Sequence, residues 1–177
     1  QINTGLDTSV QGTGWGAGTW GRGTWDSASD LTAGGNTLRI WSHDNFGEDL
    51  LMNVRDEGIF YWDKTNGVTT RAVSLSSLGV ATDNIPTIAK QVLVSDKDRH
   101  IIAFGCDPET AIGTQDPLLI RFGSQESLTD WSAKATNTAG DLRIGSGSEI
   151  ITAVETRQQI LVFTDVSLHA MQFLGPP

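Results

Sequence analysis

Short apolar runs alternate with polar turns along most of the chain, and helical periodicity is nearly absent. Paired runs rich in β-branched and aromatic residues are typical of antiparallel hairpins. Three such pairs stand out, at 49–63, 91–105 and 149–165, with predicted turns at 56–58, 96–98 and 156–158. The pattern therefore predicts an all-β chain built from repeated antiparallel β-hairpins.

A second repeat gives the spacing of the units. Leu38-Arg39-Ile40 precedes the first hairpin, and Leu142-Arg143-Ile144 precedes the third, 104 positions later. Because the second hairpin lies between them, the unit is about 52 residues, close to the period of four-stranded β-propeller blades. We expect part of a β-propeller with about three blades, at about 37–80, 88–140 and 141–177. The run 71–75 is an expected outer strand, and 118–134 is expected to supply two strands around a turn.

Three blades do not close a ring, because propellers hold about four to eight. The segment is therefore part of a larger propeller or an open stack that other chains complete. A β-sandwich with long loops is the alternative, since strand content fits both architectures. The chain starts at Gln1 and stops soon after a strand pattern, which favours a fragment of a longer protein.

Residues 1–36 read as a Gly/Trp-rich extended arm or loop that precedes the propeller-like part at 37–177. Trp15, Trp20 and Trp25 recur every five residues, with Arg22 between the last two. The G-x-G-x-x-G match at 16–21 lacks the preceding strand, the following helix and the later acid of a dinucleotide site. Two interpretations remain open. The four side chains anchor a subunit contact, or the tryptophans stack on sugars.

The net charge of −9 argues against nucleic-acid binding, which needs clustered Lys and Arg residues. The 12 basic residues of this chain are scattered. Cys106 is the only cysteine, so an intrachain disulfide and cysteine metal spacings are impossible. A buried structural thiol is the expectation for it. No apolar run approaches the roughly 20 residues of a membrane-spanning helix.

The densest polar cluster surrounds His43 and holds Asp44, Asn45 and Glu48. It lacks the spacing of a calcium loop, so a turn explains these residues better than a metal does. The same cluster, with exposed tryptophans, is the candidate for sugar binding.

The other two histidines have no obvious partners along the sequence. His100 is expected to face solvent, and His169 is expected to be a structural strand residue. No catalytic motif appears, so we predict a protein that is not an enzyme and has no cofactor, no metal and no catalytic residue.

The stretch 124–131 resembles a degraded Asp-box, the turn element of sialidase-type propellers. Glu126, Leu128 and Asp130 replace its Asp, Gly and Thr, whereas Ser124 and Trp131 match. This box is a fold element and not a catalytic one, so it supports a propeller only.

Four stretches in succession carry a resemblance to a known family: GWGAGTWGRGTW, LRIWSHDNFGEDLLMNVRDEGIFYWD, QVLVSDKDRHIIAFGCDP and the run from 116 to 177. Through them the chain resembles tail proteins of short-tailed and marine bacteriophages. The resemblance is to the nozzle, hub or stabilisation type and covers nearly the whole chain. It implies propeller-like domains in a homo-oligomeric ring, expected to be six-fold, at the tail or neck. DNA would pass through without sequence-specific binding.

The resemblance also implies neighbouring tail and neck proteins as partners, and a place in the virion after synthesis in the host cytoplasm. It transfers no active-site residue to this chain, which is shorter than a full family member. A carbohydrate-binding propeller that recognises a glycan on the host surface is the alternative function.

Overall fold

The structure, a computed structural model, describes residues 40–175, which fall within one compact unit. This part of the chain holds eleven strands in three antiparallel sheets, and its helical segments are single 3₁₀ turns. The prediction of an all-β chain made of antiparallel hairpins is confirmed. The residues of the predicted Gly/Trp-rich arm lie outside the described part.

Each sheet is formed by strands that follow one another along the chain. The first sheet contains β1 (Trp41–Phe46), β2 (Asp49–Val54), β3 (Ile59–Trp62) and β4 (Val73–Ser74). The middle sheet contains β5 (Gln91–Val94), β6 (Ile101–Phe104), β7 (Leu119–Phe122) and β8 (Gly140–Arg143). The last sheet contains β9 (Ile150–Glu155), β10 (Ile160–Thr164) and β11 (Leu168–Met171).

All three predicted hairpins are present, as β2–β3, β5–β6 and β9–β10, and the expected outer strand at 71–75 contains β4. The turns of the first two hairpins each contain a left-handed residue, Asp56 at φ 59° and Arg99 at φ 52°. Short polar side chains accept such a conformation most readily, which suits Asp56. The hairpin signal therefore came from local sequence, where turn and strand preferences agree.

The boundary between the second and third repeats differs from the expectation. Leu142 and Arg143 were expected to open the third blade, but they lie in β8 and pair with Ile120 and Leu119 of β7. The middle sheet therefore continues to Arg143. Of the two strands expected within 118–134, only Leu119–Phe122 forms, and the rest of that stretch is irregular. The repeated Leu-Arg-Ile triplet was misleading, because three residues do not determine which neighbouring strand they pair with.

Two apolar layers hold the three sheets together, and the middle sheet contributes to both. Along β5 and β6 successive side chains point to opposite faces, so Val92 and Ile101 join one layer while Leu93 and Ile102 join the other. Leu51, Ile59 and Tyr61 meet the middle sheet from the first sheet. The last sheet contributes Ile150, Ala153, Ile160 and Val162 to the second layer.

The middle sheet is thus covered on both faces, and three sheets follow one another where a sandwich would have two. Within residues 40–175 they do not close into a ring. No helix in this part of the chain is long and apolar enough to cross a membrane.

The Asp-box-like stretch forms a tight loop after β7 that buries its tryptophan. Trp131 is 1% exposed, and its indole N–H donates to the Leu128 carbonyl at 2.9 Å. The backbone N–H of Ser124 donates to the Asp130 carbonyl at 2.7 Å. This loop therefore acts as a packing element, as the sequence predicts.

Arg121 of β7 is almost fully buried and forms hydrogen bonds to three loops. Its guanidinium donates to the backbone carbonyls of Asp107 at 3.1 Å, Asn84 at 2.5 Å and Trp131 at 3.4 Å. Charge-assisted bonds of this kind are stronger than neutral ones, and leaving buried acceptors without donors is costly.

We therefore expect Arg121→Met to lower the free energy of unfolding by about 3 kcal/mol. Arg143→Met is the matched control on the neighbouring strand, since that side chain is 57% exposed and pairs with Asp116. The control should cost at most about 1 kcal/mol. Urea unfolding followed by tryptophan fluorescence measures both, and equal losses would contradict this role of Arg121.

Candidate functional site

The first strands of the three sheets lie side by side and are joined by side chains rather than by a continuous ladder. The Ser42 hydroxyl of β1 accepts from the backbone N–H of Val92 on β5 at 3.2 Å. Oδ2 of Asp44 accepts from the backbone N–H of Val94 at 2.8 Å. Two polar side chains of one sheet therefore satisfy the free edge of the next sheet.

The contact between β5 and β9 repeats this arrangement with an amide. Gln91 Nε2 donates to the Ala153 carbonyl, and Gln91 Oε1 accepts from the Ala153 N–H, both at 2.8 Å. The Thr152 hydroxyl donates to the same Oε1 at 3.0 Å. The side chain of Gln91 thus makes the pair of hydrogen bonds that a neighbouring backbone residue makes in a ladder.

These strands line an open groove of about 670 Å³, which we call the first-strand groove. Exposed apolar side chains, including Trp41, Ile151 and Val154, form much of its wall. Arg55 also lines it and donates to the Ile151 carbonyl at 3.4 Å. The groove also contains Lys90 and the carboxylates of Asp44 and Glu155, and this mixture of apolar and charged side chains suits contact with another protein surface.

The polar cluster around His43 is used for internal contacts. Asp44 accepts from Val94 through one oxygen and from the Asn45 N–H through the other, at 2.8 Å each. Glu48 pairs with Lys64 across the surface. Both carboxylates therefore already have partners within the described chain.

A second pocket, of about 380 Å³, contains a buried histidine. His100 is 3% exposed, so the prediction that it faces solvent is wrong. Its short β-turn follows the buried strand β5, and the ring packs under Phe173, with centroids 4.7 Å apart. Sequence alone does not show this cover, because Phe173 is distant along the chain.

The tautomer of His100 follows from its partner. Nδ1 lies 2.8 Å from the Gly123 carbonyl, which only accepts, so Nδ1 carries the proton. In the neutral ring Nε2 is then an acceptor, and it is buried without a hydrogen-bond partner among the described residues.

Glu155 lines the same pocket, and burial raises the pKa of its carboxyl. It accepts from the Asp96 N–H at 3.0 Å, which partly opposes that shift. The hydrogen bond between Glu155 and Asp96 therefore links the last sheet to the loop that follows β5 of the middle sheet.

His169 lies in β11, as predicted, where Nε2 is within 3.0 Å of the hydroxyls of Ser146 and Ser167. Among residues 40–175, no group of three or more His, Cys, Asp or Glu side chains is arranged to hold a metal ion. The interface residues predicted from sequence, Trp15, Trp20, Trp25 and Arg22, lie outside the described residues.

Cys106 is fully buried, which confirms the expectation of an internal thiol. Its Sγ lies 3.5 Å from the Ala103 carbonyl. Burial raises the pKa of this thiol to about 12, although the nearby Arg121 guanidinium opposes part of the shift.

Comparison with known proteins finds no matching family model, no matching curated protein and no matching solved structure.

Cys106 should resist thiol reagents in the folded protein, because it is buried and rarely ionised near neutral pH. At pH 8 we expect labelling by a disulfide reagent to be at least about 100-fold slower than in the urea-unfolded chain. Absorbance of the released thiol measures both rates. Fast labelling of the folded protein would contradict a sealed site.

Proposed function

We propose that this protein is a non-enzymatic structural component of a bacteriophage tail or neck ring, of the nozzle, hub or stabilisation type. Copies of the chain, six in the expected ring, assemble with one another and with neighbouring tail proteins around the DNA channel. The protein is made in the host cytoplasm and resides in the virion tail. The resemblance of the sequence to phage tail proteins is the source of this proposal.

The observation that carries an assembly role is the uncovered apolar surface at the end of the sheet stack. Val154, Phe163 and Leu168 of the last sheet are exposed at 49%, 37% and 55%. Strand residues of these types are normally covered in a folded protein, and an exposed apolar patch marks an interaction surface. The first-strand groove shares Val154 with this surface and adds the exposed side chains of Trp41 and Ile151.

The charge of the chain suits a position beside DNA. A net charge of −9 makes the protein repel phosphate, which lets DNA pass without being held. The described contacts support a structural role as well, since Arg121 and Cys106 are buried in the fold and Asp44 is committed to the sheet edge.

Glycan recognition receives less support from the described residues. The cluster proposed for it contributes Asp44 to the β5 edge and Glu48 to an ion pair with Lys64. A sugar would have to replace both contacts to bind these carboxylates. Assembly therefore accounts for the described surfaces better than carbohydrate binding does.

Quantitative peptide mass spectrometry of purified phage particles tests the proposed function. We expect peptides of this chain at a fixed number of copies per particle, six if the ring is six-fold. The major capsid protein serves as the internal standard. Absence from particles would overturn the virion role and make glycan binding the leading candidate.

A triple variant tests the predicted arm separately. Replacing Trp15, Trp20 and Trp25 by Ala should weaken incorporation into particles, because aromatic anchors dominate interface energies. Folding of residues 40–175 should be nearly unchanged, as measured by circular dichroism. Normal incorporation of the triple variant would contradict the interface role of these tryptophans.

A further inference from the structure

The packing of the middle sheet on the last sheet follows a defined register. We call the side of a sheet that is turned toward the next sheet in chain order its forward face. In the middle sheet, two rows of directly opposed residues form this face: Leu93–Ile102–Phe122 and Gln91–Phe104–Ile120. Phe104 is fully buried, because the last sheet covers this face.

The last sheet has two equivalent rows on its forward face, and no described residue covers them. The rows are Val154–Leu161–Ala170 and Thr152–Phe163–Leu168. Position by position, Phe163 corresponds to Phe104 and Leu168 corresponds to Ile120. The uncovered face is therefore built like the face that already buries a neighbouring sheet.

The opposite side of each sheet, its rear face, receives the preceding sheet. In the middle sheet this face includes Val92, Val94, Ile101 and Ala103, all buried. The equivalent rows of the first sheet are His43–Met52–Phe60 and Asn45–Leu50–Trp62. The four central residues of these rows, Leu50, Met52, Phe60 and Trp62, are apolar and only half-buried. The rear face of the first sheet is therefore apolar, like the rear face on which the middle sheet receives its neighbour.

The bonds between first strands obey the same register. Ser42 on the forward face of β1 bonds the Val92 N–H, and Gln91 at the equivalent position of β5 bonds the Ala153 N–H. The equivalent position on β9 is Thr152, which is only half-buried. A following first strand shaped like β1 would place the His43 N–H opposite the Thr152 hydroxyl.

We propose that a second copy of this chain covers the face, with the last sheet of each copy packed on the first sheet of the other. A head-to-tail contact of this kind repeats until the rotation closes. Closed rings of sheets hold about four to eight. Residues 40–175 supply three sheets per copy, and of the multiples of three only six lies in that range, so two copies of this segment close one ring.

This pairing goes beyond the proposed function and does not depend on it. It requires only that the contact already present between the middle and last sheets is repeated between chains. A phage ring of six copies would contain three such pairs, whereas a protein from another source would form the same pair.

Sedimentation velocity of the purified 177-residue chain provides the first test. We expect a species of twice the 19.0 kDa chain mass at micromolar concentration. A protein that remains a single chain at all concentrations would overturn the proposal, because residues outside 40–175 would then cover the faces. A series of species that grows with concentration would overturn closure by two copies.

Two single variants identify the faces. Phe163→Lys on the forward face and Met52→Glu on the first-sheet rear face should each raise the dissociation constant of the pair about 100-fold or more, since each places an unpaired charge in both contacts. Val80→Lys is the control, because Val80 is 67% exposed in the loop whose residues Leu75 and Ile85 pack in the layer between the first and middle sheets. Circular dichroism and the thermal midpoint verify that all three variants fold.

Mixing the two variants gives the sharper result. A mixed pair places the introduced lysine of one copy against the introduced glutamate of the other in one contact and leaves the second contact unchanged. Pairing should therefore return to within about 10-fold of the parent chain. Pairing of last sheet on last sheet would be weakened by Phe163→Lys alone and not by Met52→Glu. That outcome, or failure of the mixture to pair, would overturn the head-to-tail arrangement.

Discussion

The fold depends on one constraint, which is that the middle sheet has two apolar faces and both must be covered. Its strands alternate side chains such as Val92 and Leu93 between opposite layers, so neither layer can form without a separate neighbouring sheet. The first and last sheets supply that cover. Each of them then has one further face, and the same chemistry that orders the interior leaves apolar side chains at the ends of the stack.

Local patterns in the sequence predicted the parts of the fold that local forces determine. The three hairpins were predictable because strand preferences and polar turns agree over about 15 residues. The sheet to which Leu142 and Arg143 belong was not predictable, because it depends on their pairing with β7 across a loop of 17 residues, 123–139. His100 illustrates the same limit, since Phe173 covers it from 73 positions away along the chain.

The candidate site shows a similar division. Sequence reasoning identified the cluster around His43 but could not show that Asp44 would bind a backbone edge 50 positions away. Gln91 carried no signal at all, because a glutamine at a strand start is ordinary in the sequence. Its importance comes from its alignment with the Ala153 edge, which only the succession of sheets creates.

The side-chain bonds between first strands also bear on solubility. An open strand edge is a template on which any extended chain can add, and natural proteins protect such edges to prevent aggregation. Here Ser42, Asp44 and Gln91 occupy the hydrogen-bonding groups of the neighbouring edges without themselves forming a ladder. Consequently the sheets can stand next to one another in a fixed order without merging into one continuous sheet, and an amyloid-like extension from β5 or β9 would first have to displace these side chains.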